Sequence, residues 1–227
     1  MRSPYRVTAF CVASIMLAAT GCTAASTAPT SGTATGAPII IDSSSQSSPF
    51  NGILLGKPFA KPAFSLTDAA GQPYDFDQQT DGKLTLLYFG YTHCPDVCPT
   101  TMADIAAALR ALPATERTKI SVVFVSTDPT RDTPAVLHTW LDQFNPAFIG
   151  LTGSFATIQH AASALGIPVS APTTSADGDY TVTHGAEVLA FNTDDEAHVL
   201  FTAGTTVGQY DHDLQLLLAG TDIKDSQ

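Results

Sequence analysis

Two apolar runs stand out along the chain, Leu84-Thr85-Leu86-Leu87-Tyr88-Phe89 and Ile120-Ser121-Val122-Val123-Phe124-Val125. Neither alternates with charged residues, so each predicts a strand covered on both faces. Between them, Met102, Ile105, Ala106 and Leu109 recur at helical spacing and predict a helix over 99–112. Thr133-Pro134 supplies an N-cap and a first-turn proline for a helix running to Phe144. A short strand at 148–151 and a helix over 154–165, stopped by Gly166, follow. Upstream, 64–67 and 74–76 flank Ala70-Gly71-Gln72-Pro73, the composition of a hairpin turn. Downstream, 182–191 and 198–202 read as a hairpin across Asn192-Thr193-Asp194-Asp195, and 211–218 as a final helix.

This order predicts an α/β protein with a thioredoxin-like fold: a central mixed β-sheet flanked by helices, with an N-terminal β-hairpin. The pattern changes before residue 49. Arg2 and Arg6 precede an uncharged apolar stretch from Val7 to Thr20, the layout of a secretory signal. It ends Leu17-Ala18-Ala19-Thr20-Gly21-Cys22, which resembles a bacterial lipobox with Cys22 as the lipidated residue. Ala19 stands where the usual lipobox has an aliphatic residue. From Thr23 to Ser48 the chain is mostly Ser, Thr, Ala, Gly and Pro, too poor in apolar surface to order itself. The expected organisation is a signal peptide at 1–21, a lipidated flexible tether at 22–48, and a domain at 49–227. The expected location is the outer face of the bacterial cytoplasmic membrane, reached by export and held by the lipid anchor.

Charge narrows the partners. The whole chain carries 10 basic and 21 acidic side chains, a net charge of −11. The basic residues are scattered, which excludes the clustered cationic surface that nucleic acid needs. Of the four cysteines, Cys11 leaves with the signal and Cys22 takes the lipid, so the domain keeps Cys94 and Cys98. They lie between a buried strand and a helix start, the end of an α/β sheet where sites collect.

The segment reads Tyr88-Phe89-Gly90-Tyr91-Thr92-His93-Cys94-Pro95-Asp96-Val97-Cys98-Pro99. Pro99 suits the first helical position, which would make Cys98 the N-cap, with its thiolate favoured by the helix dipole. Two thiolates about one turn apart can grip a soft ion, Cu(I) before Zn(II). The same closeness permits an inert disulfide, although so short a loop stabilises little. It also permits thiol exchange, although exchangers of the thioredoxin type place two residues between the cysteines and here there are three.

Three motifs in order resolve the choice by resemblance. Phe89 to Thr100, Asp128-Pro129-Thr130-Arg131-Asp132-Thr133-Pro134, and Tyr180-Thr181-Val182-Thr183-His184 are similar to those of the SCO/SenC family of copper-binding, thioredoxin-fold proteins. The resemblance implies a copper site of Cys94, Cys98 and His184, taking Cu(I) and also Cu(II), with Cys94 and Cys98 as a redox-active pair. It implies a metallochaperone for the CuA site of cytochrome c oxidase subunit II, exchanging with another copper chaperone or a thiol reductant. The alternatives are a thiol–disulfide reductase acting on the oxidase cysteines, which would make the chain an enzyme, and a copper or redox sensor. One departure is Thr183, where the family has an acidic residue before the histidine.

The remaining polar residues read as structural. His93 is expected to point away from the site, and His138 and His160 to lie on helix surfaces. His198 and His212 have no evident partner. Asp128, Arg131 and Asp132 read as an ion-paired loop, Asp194-Asp195-Glu196 as a solvated turn, and Met102 as core. Because tether and domain are separate physical units, Cys22→Ser is expected to release the protein from membranes while leaving the domain's unfolding transition unchanged. Membrane fractionation checks this, and a variant that stays membrane-bound contradicts lipidation at Cys22.

Overall fold

The computed structural model describes residues 48–178 and 180–220. The signal segment, Cys22 and the tether as far as residue 47 lie outside the described residues. The domain opens with β1 (Ile53–Ala60), the hairpin β2 (Ser65–Asp68) and β3 (Pro73–Asp75), and one helical turn, α1 (Phe76–Gln79). Next come β4 (Leu84–Gly90), α2 (Val97–Ala111), the short α3 (Ala114–Arg117), β5 (Ile120–Ser126) and α4 (Pro134–Leu141). Then follow β6 (Ile149–Thr152), α5 (Phe155–Ala164), β7 (Ser170–Thr174) and β8 (Tyr180–Thr183). β9 (Val188–Phe191), β10 (Glu196–Phe201) and α6 (Val207–Leu218) complete the elements of the described residues.

Eight strands form one mixed sheet in the order β1-β10-β9-β4-β5-β6-β2-β3. β4 and β5 lie at its centre and pair in parallel over their whole length, Leu84 opposite Ile120 and Gly90 opposite Ser126. Alternation along each strand feeds two cores. Leu84, Leu86, Tyr88, Val122 and Phe124 meet Met102, Ile105, Leu109, Leu137 and Leu214 of α2, α4 and α6. Leu87, Phe89, Val123 and Val125 meet Phe64, Phe76, Ile158 and Ala162 on the other face. All seven residues of β4 are buried, which is why that strand reads as an unbroken apolar run.

Several boundaries depart from the sequence expectation. The helix after the cysteines begins at Val97 with Asp96 in the cap position, so Cys98 lies inside the first turn rather than at the N-cap. The expected strand over 182–191 is two strands, β8 and β9, separated by residues 184–187. β1 was absent from the expectation because Gly56-Lys57-Pro58 breaks its alternation, and its pairing with β10 shifts register between Leu54 and Phe59. The last helix starts earlier than expected, at a capping box formed by Thr206 and Gln209. The acidic turn is not simply solvated. The buried amine of Lys61 pairs with Asp195, and Asp194 holds the buried His198 at 3.0 Å.

β1 is held at its start by a buried carboxylate. Asp213 of α6, fully buried, accepts the backbone N–H groups of Asn51 at 3.0 Å and Gly52 at 2.7 Å. It also accepts the Asn51 amide at 3.0 Å, and His212 lies 2.8 Å from the same oxygen, which gives that histidine its partner. Removing the carboxylate leaves two backbone donors without acceptors. Asp213→Ala is therefore expected to cost about 2–3 kcal/mol in urea unfolding. A loss below about 0.5 kcal/mol, the range of surface substitutions, contradicts the role given to Asp213.

Candidate metal centre

β4 ends at Gly90, and the chain turns immediately into the cysteine loop. A side chain at Gly90 would meet Cys98 Sγ and the Phe124 ring at 2.9 Å, so glycine is what lets the thiol lie against the strand end. The Gly90 carbonyl accepts from Thr127 N at 2.7 Å, tying the loop to the end of β5. Asp132, buried from solvent, accepts from Thr92 N at 3.0 Å and Thr92 Oγ1 at 2.6 Å, while Ser126 Oγ donates to it at 2.7 Å. The loop is thus fixed by backbone groups and a buried carboxylate in the segment that follows the neighbouring strand.

Within this frame the two sulfurs are unbridged and unlike each other. Cys98 is fully buried, with the Tyr88 hydroxyl donating to its sulfur at 3.3 Å. Burial pushes its thiol up to about 12, against smaller lowering by hydrogen bonds from Tyr88 and the Tyr91 backbone. Cys94 keeps 9% exposure at the rim. Burial alone would raise it too, but backbone N–H groups of Asp96, Cys98 and Val97 and the Cys98 side chain stabilise its thiolate, and the net direction is below the ordinary thiol range. The sequence expectation assigned the favoured thiolate to Cys98; the structure assigns it to Cys94. The rise at Cys98 corresponds to about 4 kcal/mol, whereas a helix dipole contributes at most about 2.

His184 occupies the break between β8 and β9. Its Nε2 lies 3.7 Å from Cys98 Sγ and 3.9 Å from Cys94 Sγ. The three donor atoms all lie within 4.8 Å of one another, close enough for one ion at metal–sulfur distances of about 2.3 Å. His184 Nδ1 sits 2.6 Å from the Gly185 carbonyl, which can only accept, so Nδ1 carries the proton and Nε2 presents its lone pair to the sulfurs. Tyr91 and Tyr88 flank the imidazole edge-on, at 5.3 and 6.3 Å between ring centroids. Gly185 admits no side chain, since a Cβ there would fall 2.5 Å from Ile167 and closer still to Glu187.

The Gly185 carbonyl bears on the Thr183 departure. Thr183 is exposed on β8, and the imidazole is oriented by the Gly185 backbone carbonyl. Sequence reasoning missed Gly185, Tyr88 and Gly90. Tyr88 has the pattern of a core residue, and a backbone carbonyl leaves no mark in sequence. His93 lies outside the cluster, with Nδ1 3.0 Å from Thr92 Oγ1 and its side chain half-exposed. His138 and His160 lie on α4 and α5, and Met102 is core. A second group, Asp194, Glu196 and His198, brings metal-capable atoms together on the β9–β10 turn and β10.

Known proteins resemble this chain in sequence and in fold. A candidate copper-binding protein of Stutzerimonas stutzeri is 38% identical over 144 residues, which cover 63% of this chain and 70% of that protein. The mitochondrial SCO2 protein of Saccharomyces cerevisiae is 36% identical over 136 residues, 60% of this chain; the match spans only 43% of the yeast protein. The copper-bound structure of Bradyrhizobium japonicum ScoI superposes with a TM-score of 0.62 at 35% identity, over 70% of this chain and 99% of that one. A more distant structure, 18% identical with a TM-score of 0.56, shows the fold alone; it is of BsSco, described as a member of the Sco family of cytochrome c oxidase assembly proteins. Residues 55–219 match the SCO1/SenC family across their whole length, and the chain belongs to that family.

Proposed function

We propose that this protein is a membrane-tethered, extracytoplasmic copper metallochaperone serving the CuA site of cytochrome c oxidase subunit II, with Cys94, Cys98 and His184 as the copper ligands. The observation that carries this reading is the aim of His184 Nε2 at both sulfurs, with Nδ1 already committed to Gly185. A dithiol exchanger has no need of such an imidazole. Two thiolates and one neutral nitrogen suit Cu(I) and leave a flank open for ligand exchange with a partner. Copper here is cargo rather than a resident cofactor. Family membership and the copper-bound relative support the choice of metal. The lipobox-like segment ending at Cys22 supports the tether.

The asymmetry of the thiols suggests an order of capture. Cys94, at the rim and biased toward thiolate, meets the ion first. Cys98 gives up its proton only when the metal arrives. The same asymmetry favours one second reading, reduction of a partner disulfide by Cys94 attack followed by resolution through Cys98.

His184→Ala separates the two. It is expected to weaken copper binding by about tenfold or more, with Cu(II) suffering more than Cu(I), while the disulfide exchange rate stays within about twofold. Competition titration and exchange kinetics on the reduced protein measure both, and unchanged copper affinity favours the reductase. Transfer of bound Cu(I) to a CuA fragment then tests the chaperone role.

The raised Cys98 thiol gives a pH dependence with a definite sign. Metal binding displaces a proton held throughout the neutral range, so apparent Cu(I) affinity should rise with pH by about tenfold per unit between pH 7 and 9. A flat profile contradicts deprotonation of Cys98 on binding.

A further inference from the structure

His184 lies at the base of an arm whose two strands the core does not cover. Among the described residues β7 and β8 pair only with each other, as a separate two-stranded sheet. Their residues are exposed apart from partial cover at Pro172 and Val182, and none belongs to either core cluster. Apolar burial therefore does little to fix β7 and β8 themselves, while Gly185, next to His184, is buried against Ile167. At the base of β7, Gln159 Nε2 donates to Val169 O at 3.1 Å. A polar contact holds the start of β8.

That contact is made at Tyr180, four residues before His184. Its hydroxyl donates to Asp128 Oδ1 at 2.8 Å. The Arg131 guanidinium carbon lies 3.9 Å from the Tyr180 ring centroid, while Arg131 Nε pairs with the other Asp128 oxygen. Asp128 is fully buried, and its backbone N–H bonds to Ser126 Oγ at 3.0 Å. The same Ser126 hydroxyl donates to Asp132, the carboxylate that fixes Thr92 in the cysteine loop. One short segment after β5 thus grips both halves of the site.

We propose that Tyr180, Arg131 and Asp128 form a latch that holds the β7–β8 arm closed, so that Tyr180 is a positioning residue for copper acting through His184. This rests on the reading of Cys94, Cys98 and His184 as the copper site. The hydroxyl–carboxylate bond is charge-assisted, and the stacked guanidinium adds a second attachment to the same ring. Tyr180→Phe removes the first and keeps the second; Tyr180→Ala removes both. With the latch gone, the imidazole spends less time over the sulfurs, and the bound state must recover that ordering.

The test uses reduced full-length protein with Tyr180→Phe, Tyr180→Ala, His184→Ala and the Tyr180→Ala/His184→Ala double variant. In the metal-free protein, amide exchange over 181–187 should quicken by about tenfold in Tyr180→Ala, with the urea midpoint unchanged because Tyr180 lies outside the core. Cu(I) competition titration should show Tyr180→Ala weakened by about tenfold, with Tyr180→Phe between it and the parent. The double variant should bind no more weakly than His184→Ala alone, since a residue acting through His184 has nothing left to act on. Unchanged exchange and unchanged affinity in Tyr180→Ala overturn the latch. A double variant weaker than His184→Ala by the full Tyr180→Ala factor overturns action through His184. If His184→Ala itself binds copper as the parent does, the copper-site reading fails, and the exchange data on metal-free protein still decide whether the arm is latched.

Discussion

The parallel pairing of β4 with β5 at the middle of the sheet is the constraint on which the site depends. Both strands are buried on both faces, so their register is fixed by two cores at once, and their ends come out side by side. Gly90 at one end opens the cysteine loop, and Ser126 at the other opens the segment carrying Asp128 and Asp132. Two ties that shape the loop cross between these ends: Thr127 to Gly90, and Asp132 to Thr92. The thiol geometry follows from sheet register more than from local loop preference.

Burial then makes two chemically identical side chains different. Cys98, seated under Tyr88 against a strand end with no room for a side chain, is held as a thiol. Cys94, four residues earlier, receives backbone donors at the edge of solvent. A soft cation reverses the cost at Cys98, because a metal-bound thiolate is no longer a bare charge in an apolar setting. The site is thereby matched to a metal ion, which must displace the Cys98 proton to bind.

Sequence alone revealed most of this frame and part of the site. The unbroken apolar runs of β4 and β5 and the helical spacing from Met102 to Leu109 have strong periodic signatures, and the structure bears them out. The three motifs named the residues that the fold brings together. What was illegible depends on tertiary contact. Between Val182 and Val188 no proline interrupts the chain, so the break that frees His184 from a strand left only Gly185 as a sign. The acid–base character of Cys98 was assigned from the helix terminus, a small effect that burial outweighs. The carbonyl that orients His184 belongs to the backbone and has no residue signature at all.

The central claim is that one imidazole nitrogen and two thiolate sulfurs converge on a single copper ion. X-ray absorption of the Cu(I)-loaded, reduced protein measures that donor set directly. The account predicts two sulfur scatterers and one imidazole, with the imidazole contribution lost in His184→Ala and both sulfurs retained. Two sulfurs without nitrogen in the parent protein, or an imidazole that survives His184→Ala, would contradict it.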